Sequence, residues 1–257
     1  MAHRLTNACS RRSVLGLNSI DHIAAAALAI VGVLYPLADA KRFRSKLKSL
    51  GDSPSPARII IYWELLAWLW ATSALVIFYW LFQDYSFSYL GFSVPNTLRF
   101  WSALGVVGIL VVFMVFMSVG LMRSNDLREK VIANMAKMDE APLLPRNRRE
   151  LQLWGVCSLS ASSEEIVFRG FFFWYLLSQF GTWTAAVGST ILFAIAHIYQ
   201  GPGGVLRSGI YGAVLMVVYL VAGSIWPPII LHFSQDLYSG VAGYLSWRYP
   251  KRVAGTV

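Results

Sequence analysis

The stretch Ser162-Ser-Glu-Glu-Ile-Val-Phe-Arg-Gly170 sets two carboxylates and a guanidinium inside an apolar run that continues through Phe171-Phe-Phe-Trp-Tyr-Leu-Leu177. Ionisable groups at membrane depth are costly, which makes them functional-site candidates by default. On a helix, Glu165 and Arg169 stand four apart with the acid N-terminal to the base, the favoured order for a pair. Glu164 points about 100° away from them. One acid is then neutralised by its own helix, while the other is free to face another element. Two later apolar stretches carry the remaining polar groups, His197 in Phe193-Ala-Ile-Ala-His197, and His232 with Asp236 in His232-Phe-Ser-Gln-Asp236. Each histidine has a residue four positions away on the same helical face. Phe193 would pack beside His197, and Asp236 would orient or charge-stabilise His232.

This inventory suits hydrolysis. Burial disfavours the charged form of a glutamate and of a histidine alike, which brings proton exchange by both toward the working range of a general base. Peptide cleavage needs an activated water, a proton donor for the leaving amine and stabilisation of the tetrahedral oxyanion. Glu164 with His197 can supply the first two, and His232 the third. Taken singly, each residue also has a structural reading, since a buried histidine is usually a satisfied core residue and a Glu–Arg pair can staple a helix. Their concentration in the C-terminal half, against almost none in the other apolar stretches, is better explained by a shared polar cavity. Ser162 and Ser163 lie close by, but no base stands at motif spacing to activate either. There is no His-Glu-x-x-His. No metal or other cofactor is expected, with zinc on Glu164, His197 and His232 as the lesser alternative.

The elements that must position these residues are membrane helices. Of the 257 residues, 56% are hydrophobic and 14% charged, where soluble domains average about 25% charged. Apolar runs long enough to cross about 30 Å of hydrocarbon recur along the chain, and they are continuous, unlike the alternating strands of a β-barrel. The expected fold is all-α, a polytopic transmembrane bundle of about seven spans near 23–39, 59–82, 100–122, 151–179, 183–199, 204–224 and 227–247. The fourth span should break near Gly170. Residues 1–149 are read as N-terminal helices and basic loops, 150–247 as the catalytic membrane core whose C-terminal helices form a polar cavity, and 248–257 as a basic tail.

The net charge of +9 falls between apolar stretches, where lysine and arginine set topology and touch anionic lipid. With no recognition motif beside it, nucleic-acid binding is not expected. Basic residues concentrate in 41–58, 123–150 and after 247, which seven spans place on one side, cytoplasmic by the positive-inside rule. The basic N-terminus then lies opposite, unless the first span does not cross. Ser10-Arg-Arg-Ser followed by an apolar run and Ala38-Asp39-Ala40 has the outline of a twin-arginine signal. More membrane segments follow it, so residues 23–39 are read as a retained first helix. Leu127, Val131, Met135 and Met138 suggest an amphipathic helix in the interface, or a solvated linker. Glu64 reads as an interfacial or structural acid. Cys9 and Cys157 do not make a disulfide framework.

Glu-Glu-x-x-x-Arg at 164, 165 and 169, Phe-x-x-x-His at 193 and 197, and His-x-x-x-Asp at 232 and 236 resemble, in this order, the three motifs of the CPBP family. That family joins the type II CAAX prenyl proteases with bacterial bacteriocin-processing and immunity proteins. The resemblance covers about residues 150–245 and implies a helical intramembrane fold and a glutamate-dependent endopeptidase. By motif position, it implies that Glu164 activates water with help from His197, that His232 and residue 236 stabilise the oxyanion, and that Glu165 and Arg169 support the site. Asp236 departs from the asparagine of the prenyl proteases, and an anion cannot donate to an oxyanion as an amide does. Either Asp236 is protonated, or it acts by keeping His232 charged.

The expected partners are a peptide or protein substrate at the membrane and the lipid bilayer; oligomeric state is left open. The expected location is integral, multi-pass, in the bacterial cytoplasmic (inner) membrane. The competing reading is a non-catalytic immunity or scaffold protein that binds a peptide or a membrane partner. A proton-coupled transporter would usually show an internal repeat, and none is found.

Overall fold

In lipid, backbone N–H and C=O groups must be paired internally, and a helix does this along its own length. The computed structural model describes residues 16–51 and 54–248, and all regular structure among them is helical. Helix α1, Ser19–Lys48, starts on an Asn18–Asp21 capping box and contains a π-helical turn at Ile30–Leu34. The Val31 carbonyl within that turn accepts from Trp68 Nε1 at 3.2 Å. Helix α2, Pro56–Phe82, begins with its proline in the first turn, where no N–H is needed. Helices α3, Leu98–Arg123, and α4, Asn125–Met135, follow, each capped by the hydroxyl before it, Thr97 and Ser124. The C-terminal half comprises α5, Arg148–Ala161, a π segment Ile166–Phe172 running into α6, Phe173–Phe180, then α7, Thr182–Ala196, α8, Gly201–Ala222, and α9, Trp226–Arg248.

Four stretches are long and apolar enough to cross a membrane among the described residues: Ser19–Lys48, Pro56–Phe82, Leu98–Arg123 and Ile198–Ala222. The expected count of seven is not reached on that criterion. The helices that fall short are those carrying the polar groups: the 148–180 stretch is interrupted, α7 is 15 residues long, and α9 bears His232 and Asp236. Lipid-facing character is plain on α3, where Ile109 and Phe116 are 70% and 69% exposed, an apolar surface that suits hydrocarbon rather than water.

The interruption comes at Ser162–Ser163 rather than near Gly170. Ser162 Oγ donates to the Leu159 carbonyl and Ser163 Oγ to the Ser160 carbonyl, both at 2.6 Å. Serine hydroxyls compete in this way with the helical ladder, and here they close the end of α5. Gly170 lies within the π segment, where an added Cβ would stand 3.2 Å from Leu90 Cδ2. Within the 123–150 segment, the expected helix spans Asn125–Met135. Leu127, Val131 and Met135 of α4 pack with Leu121, Ala242 and Leu245, covering α9.

The 41–58 and 123–150 basic segments gather at one end. Arg58 is fully buried, bonding Glu150 with Nη1 at 3.2 Å, the Pro142 carbonyl with Nε at 2.9 Å and the Gly51 carbonyl with Nη2 at 3.1 Å. Tyr62 donates to the Leu143 carbonyl, and the Arg146 guanidinium lies over the Trp247 ring. Glu64 pairs at this end with Lys46 at 2.7 Å. At the other end, Tyr79 and Tyr85 both donate to Asp21, and His22 Nδ1 meets the Tyr175 hydroxyl at 2.8 Å. Helix α1 therefore runs from one end of the bundle to the other, so its Asn18 end lies opposite the basic segments. Arg11, Arg12, Cys9 and the 249–257 tail lie outside the described residues.

Candidate active site

The break at Ser162–Ser163 is what frees the acids from the end of α5 and turns them inward. Glu165 is fully buried and Glu164 nearly so. The π segment that follows widens the helix at the point where it packs on α7, and the Phe168 carbonyl accepts from Ser189 Oγ of α7 at 2.5 Å. Such single π turns recur at functional sites.

Glu165 and Arg169 meet at 2.9 Å, Oε1 to Nη1. The same Oε1 also faces His232 Nδ1 at 2.8 Å. The partner of His232 is thus Glu165 across the bundle. Asp236, one turn along α9, has Oδ2 3.8 Å from His232 Nε2, too far for a hydrogen bond. Glu165 thus holds Nδ1 of the imidazole, while Asp236 stands on its Nε2 side within ion-pair range, where it can stabilise the charge of His232 without hydrogen-bonding to it. Arg169 also donates from Nη2 to the Gly212 carbonyl at 2.8 Å, and its guanidinium lies 4.3 Å from the centre of the Phe193 ring.

Phe193 holds the middle of the arrangement, its ring centre 4.5 Å from that of His197 and 6.0 Å from that of His232. His197 Nδ1 contacts the Phe193 carbonyl at 2.8 Å. A carbonyl only accepts, so Nδ1 carries a proton and Nε2 is the lone-pair face of the neutral ring. That face looks at Glu164, with Nε2 3.8 Å from Oε2. Glu164 Oε2 is buried and has no hydrogen-bond partner among the described residues. Glu164, Glu165, Arg169, Phe193, His197, His232 and Asp236 are thus brought together from the 162–172 turn, the end of α7 and the first half of α9. Ser162 and Ser163 are committed to carbonyls and to Ser73. No group of three or more His, Cys, Asp or Glu side chains that could hold a metal ion occurs among the described residues, so Glu164, His197 and His232 do not converge as ligands.

Glu164, His197, His232 and Asp236 border a cavity of about 600 Å³. Its walls do not come from the C-terminal helices alone. Tyr35 and Asp39 of α1, Glu64 and Trp68 of α2, and Met138 and Leu144 of the following segment complete it. Sequence reasoning missed these wall residues, because nothing in an apolar helix marks which face borders a cavity. It also missed Gln235, which lines the cavity on the same stripe as His232, Asp236 and Ser239; the i, i+3, i+4, i+7 spacing was the signal that would have found it.

Comparison with known proteins bears on this same stretch. Its sequence matches the model of the type II CAAX prenyl endopeptidase Rce1-like family over residues 149–238. Residues 149–238 are an Rce1-like domain. No curated protein matches the chain. No solved structure matches it either. The Rce1-like domain contains Glu164, Glu165, Arg169, His197, His232 and Asp236, and its family is one of proteases. With four apolar helices long enough to span, the chain is an integral membrane protein.

Proposed function

We propose that this protein is an intramembrane endopeptidase in which Glu164 and His197 activate a water molecule against a peptide bond of a membrane-associated substrate. The observation that carries the reading is the 3.8 Å gap between Glu164 Oε2 and His197 Nε2. Both atoms are acceptors there, and a water within about 2.8 Å of each can donate one hydrogen to each. Glu164 takes a proton as the water oxygen attacks the scissile carbonyl. The oxyanion that forms is met by the Nε2 face of His232, whose other nitrogen is anchored on Glu165. Collapse breaks the C–N bond, and the proton held by Glu164 passes to the leaving nitrogen, giving a carboxylic acid and an amine. Glu165, Arg169 and Phe193 position His232 and His197. Asp236, its side chain 33% exposed, balances the charge of a protonated His232. Neither metal nor other cofactor enters the reading.

The substrate is a peptide or protein whose cleavage site reaches the cavity from the end where the basic segments gather, cytoplasmic in a bacterial inner membrane by the charge rule. The membrane proteome of cells carrying the Glu164→Gln protein should accumulate the same uncleaved termini as that of cells lacking the gene. In proteoliposomes, Glu164→Gln and His197→Ala should each lower turnover of a quenched-fluorescent S-farnesylated CAAX peptide, or of the peptide found in that proteome, by about 10²–10⁴-fold. Undiminished turnover in either variant refutes the assignment. The competing reading, a non-catalytic immunity or scaffold protein, requires that Glu164→Gln keep the full cellular phenotype.

A further inference from the structure

Hydrolysis of a peptide bond places negative charge on the carbonyl oxygen, and hydrogen-bond donors aimed at it are usually the largest contribution to catalysis. Beside the Nε2 face of His232, this site offers Asp236, which as a carboxylate can only accept. A second donor must come from elsewhere in the cavity. Most candidates are committed. Trp154 Nε1 donates to the Asp236 carbonyl, Tyr211 to the Leu231 carbonyl, Ser239 to the Asp236 carbonyl and Trp68 to the Val31 carbonyl. Gln235 is different. It lines the cavity, it is half-buried, and its side-chain amide makes no hydrogen bond among the described residues.

Its position on α9 fits the task. Gln235 is three residues after His232 and adjacent to Asp236, and all three line the cavity. Helical side chains lean toward the N-terminus of their helix, which for Gln235 is the turn that carries His232 on the same cavity-lining face. The anchoring of His232 Nδ1 on Glu165 fixes where its Nε2 points. A planar amide with two N–H donors, one turn below that ring, can reach the same oxygen.

We infer that Gln235 is a catalytic residue that donates a side-chain N–H to the oxyanion alongside His232, the part that Asp236 as an anion cannot play. This rests on the endopeptidase reading above. Because the amide is unengaged in the resting protein, its removal leaves the fold intact while weakening an interaction made only in the transition state.

The test uses the full chain in proteoliposomes with the quenched-fluorescent S-farnesylated CAAX peptide, or the peptide identified from the proteome. Gln235→Leu should lower kcat about 10²-fold with KM and melting temperature unchanged. Asp236→Asn, introduced into the Gln235→Leu protein, should restore a substantial part of the loss by supplying an amide at the neighbouring position. As a readout that does not depend on turnover, the matching peptide aldehyde, whose hydrate mimics the tetrahedral intermediate, should lose affinity in Gln235→Leu, while the corresponding peptide alcohol binds unchanged. An unchanged kcat in Gln235→Leu overturns the assignment, as does equal weakening of aldehyde and alcohol. If Glu164→Gln lowers turnover and Gln235→Leu leaves it unchanged, only the role of Gln235 falls. If the unmodified protein cleaves nothing and does not distinguish aldehyde from alcohol, both readings fall.

Discussion

Glu165 Oε1 accepts from Arg169 Nη1 and faces His232 Nδ1 at once, and both Glu165 and Arg169 are fully buried. Breaking such a cluster by removing one charge strands the others in a low-dielectric interior, at a cost of about 3–5 kcal/mol. Glu164 is placed differently, because its carboxylate makes no hydrogen bond among the described residues and approaches His197 Nε2 only to 3.8 Å. Glu165→Gln should therefore lower both turnover and the unfolding midpoint in detergent, whereas Glu164→Gln should lower turnover by about 10²–10⁴-fold with the midpoint held or raised. Paired unfolding and cleavage measurements on the two variants separate the supporting acid from the working one; equal loss of stability in both would show that the division of roles is wrong. Two neighbouring glutamates thus differ because one is surrounded by cations and the other faces the cavity.

At the scale of elements, the site depends on close approach between helices. An added Cβ at Gly212 of α8 would stand 2.8 Å from Phe193 Cδ1 and 3.3 Å from Arg169 Nη2, and the Gly212 carbonyl is the acceptor for Arg169. Gly212→Ala should cost about 1–3 kcal/mol through overpacking. It should also lower kcat, because Phe193 must shift and it carries the carbonyl that orients His197. Thermal unfolding and steady-state kinetics on the purified variant check both; unchanged kinetics would mean that Phe193 has room to yield. The two π turns follow the same logic. Each presents a carbonyl that a neighbouring helix answers, Val31 by Trp68 and Phe168 by Ser189.

For the whole molecule, the arrangement of ends makes a topology that can be measured. The 83–99 loop lies at the Asp21 end, while the 123–150 segment lies at the Arg58–Glu150 end. Single cysteines at the exposed positions Ser88 and Asn134, with Cys9 and Cys157 replaced by serine, should label from opposite faces of the membrane with an impermeant thiol reagent. Asn134 should be reached from the cytoplasmic face. Labelling of both from one face would overturn the crossing of α3. The Arg58–Glu150 pair joins the first turn of α2 to the start of α5 at this end, and Glu150 also accepts from the Ser55 N–H before α2.

The residue types and periods were enough to show an all-helical membrane protein and to single out Glu164, Glu165, Arg169, His197, His232 and Asp236. Charge inside an apolar run is a local property, as is a partner four residues along a helix, so both are visible in the chain itself. The break at Ser162–Ser163 was less visible, because a serine can extend or end a helix according to which carbonyls are free. The coupling of Glu165 to His232, the approach of Gly212 to Arg169, and the walls from α1 and α2 depend on residues far apart in the chain, and only packing brings them together. The same holds for the partners of each nitrogen. Sequence spacing put Asp236 on the Nε2 side of His232, and the tertiary structure added Glu165 at Nδ1, because only packing brings a residue 67 positions away to the other edge of the ring.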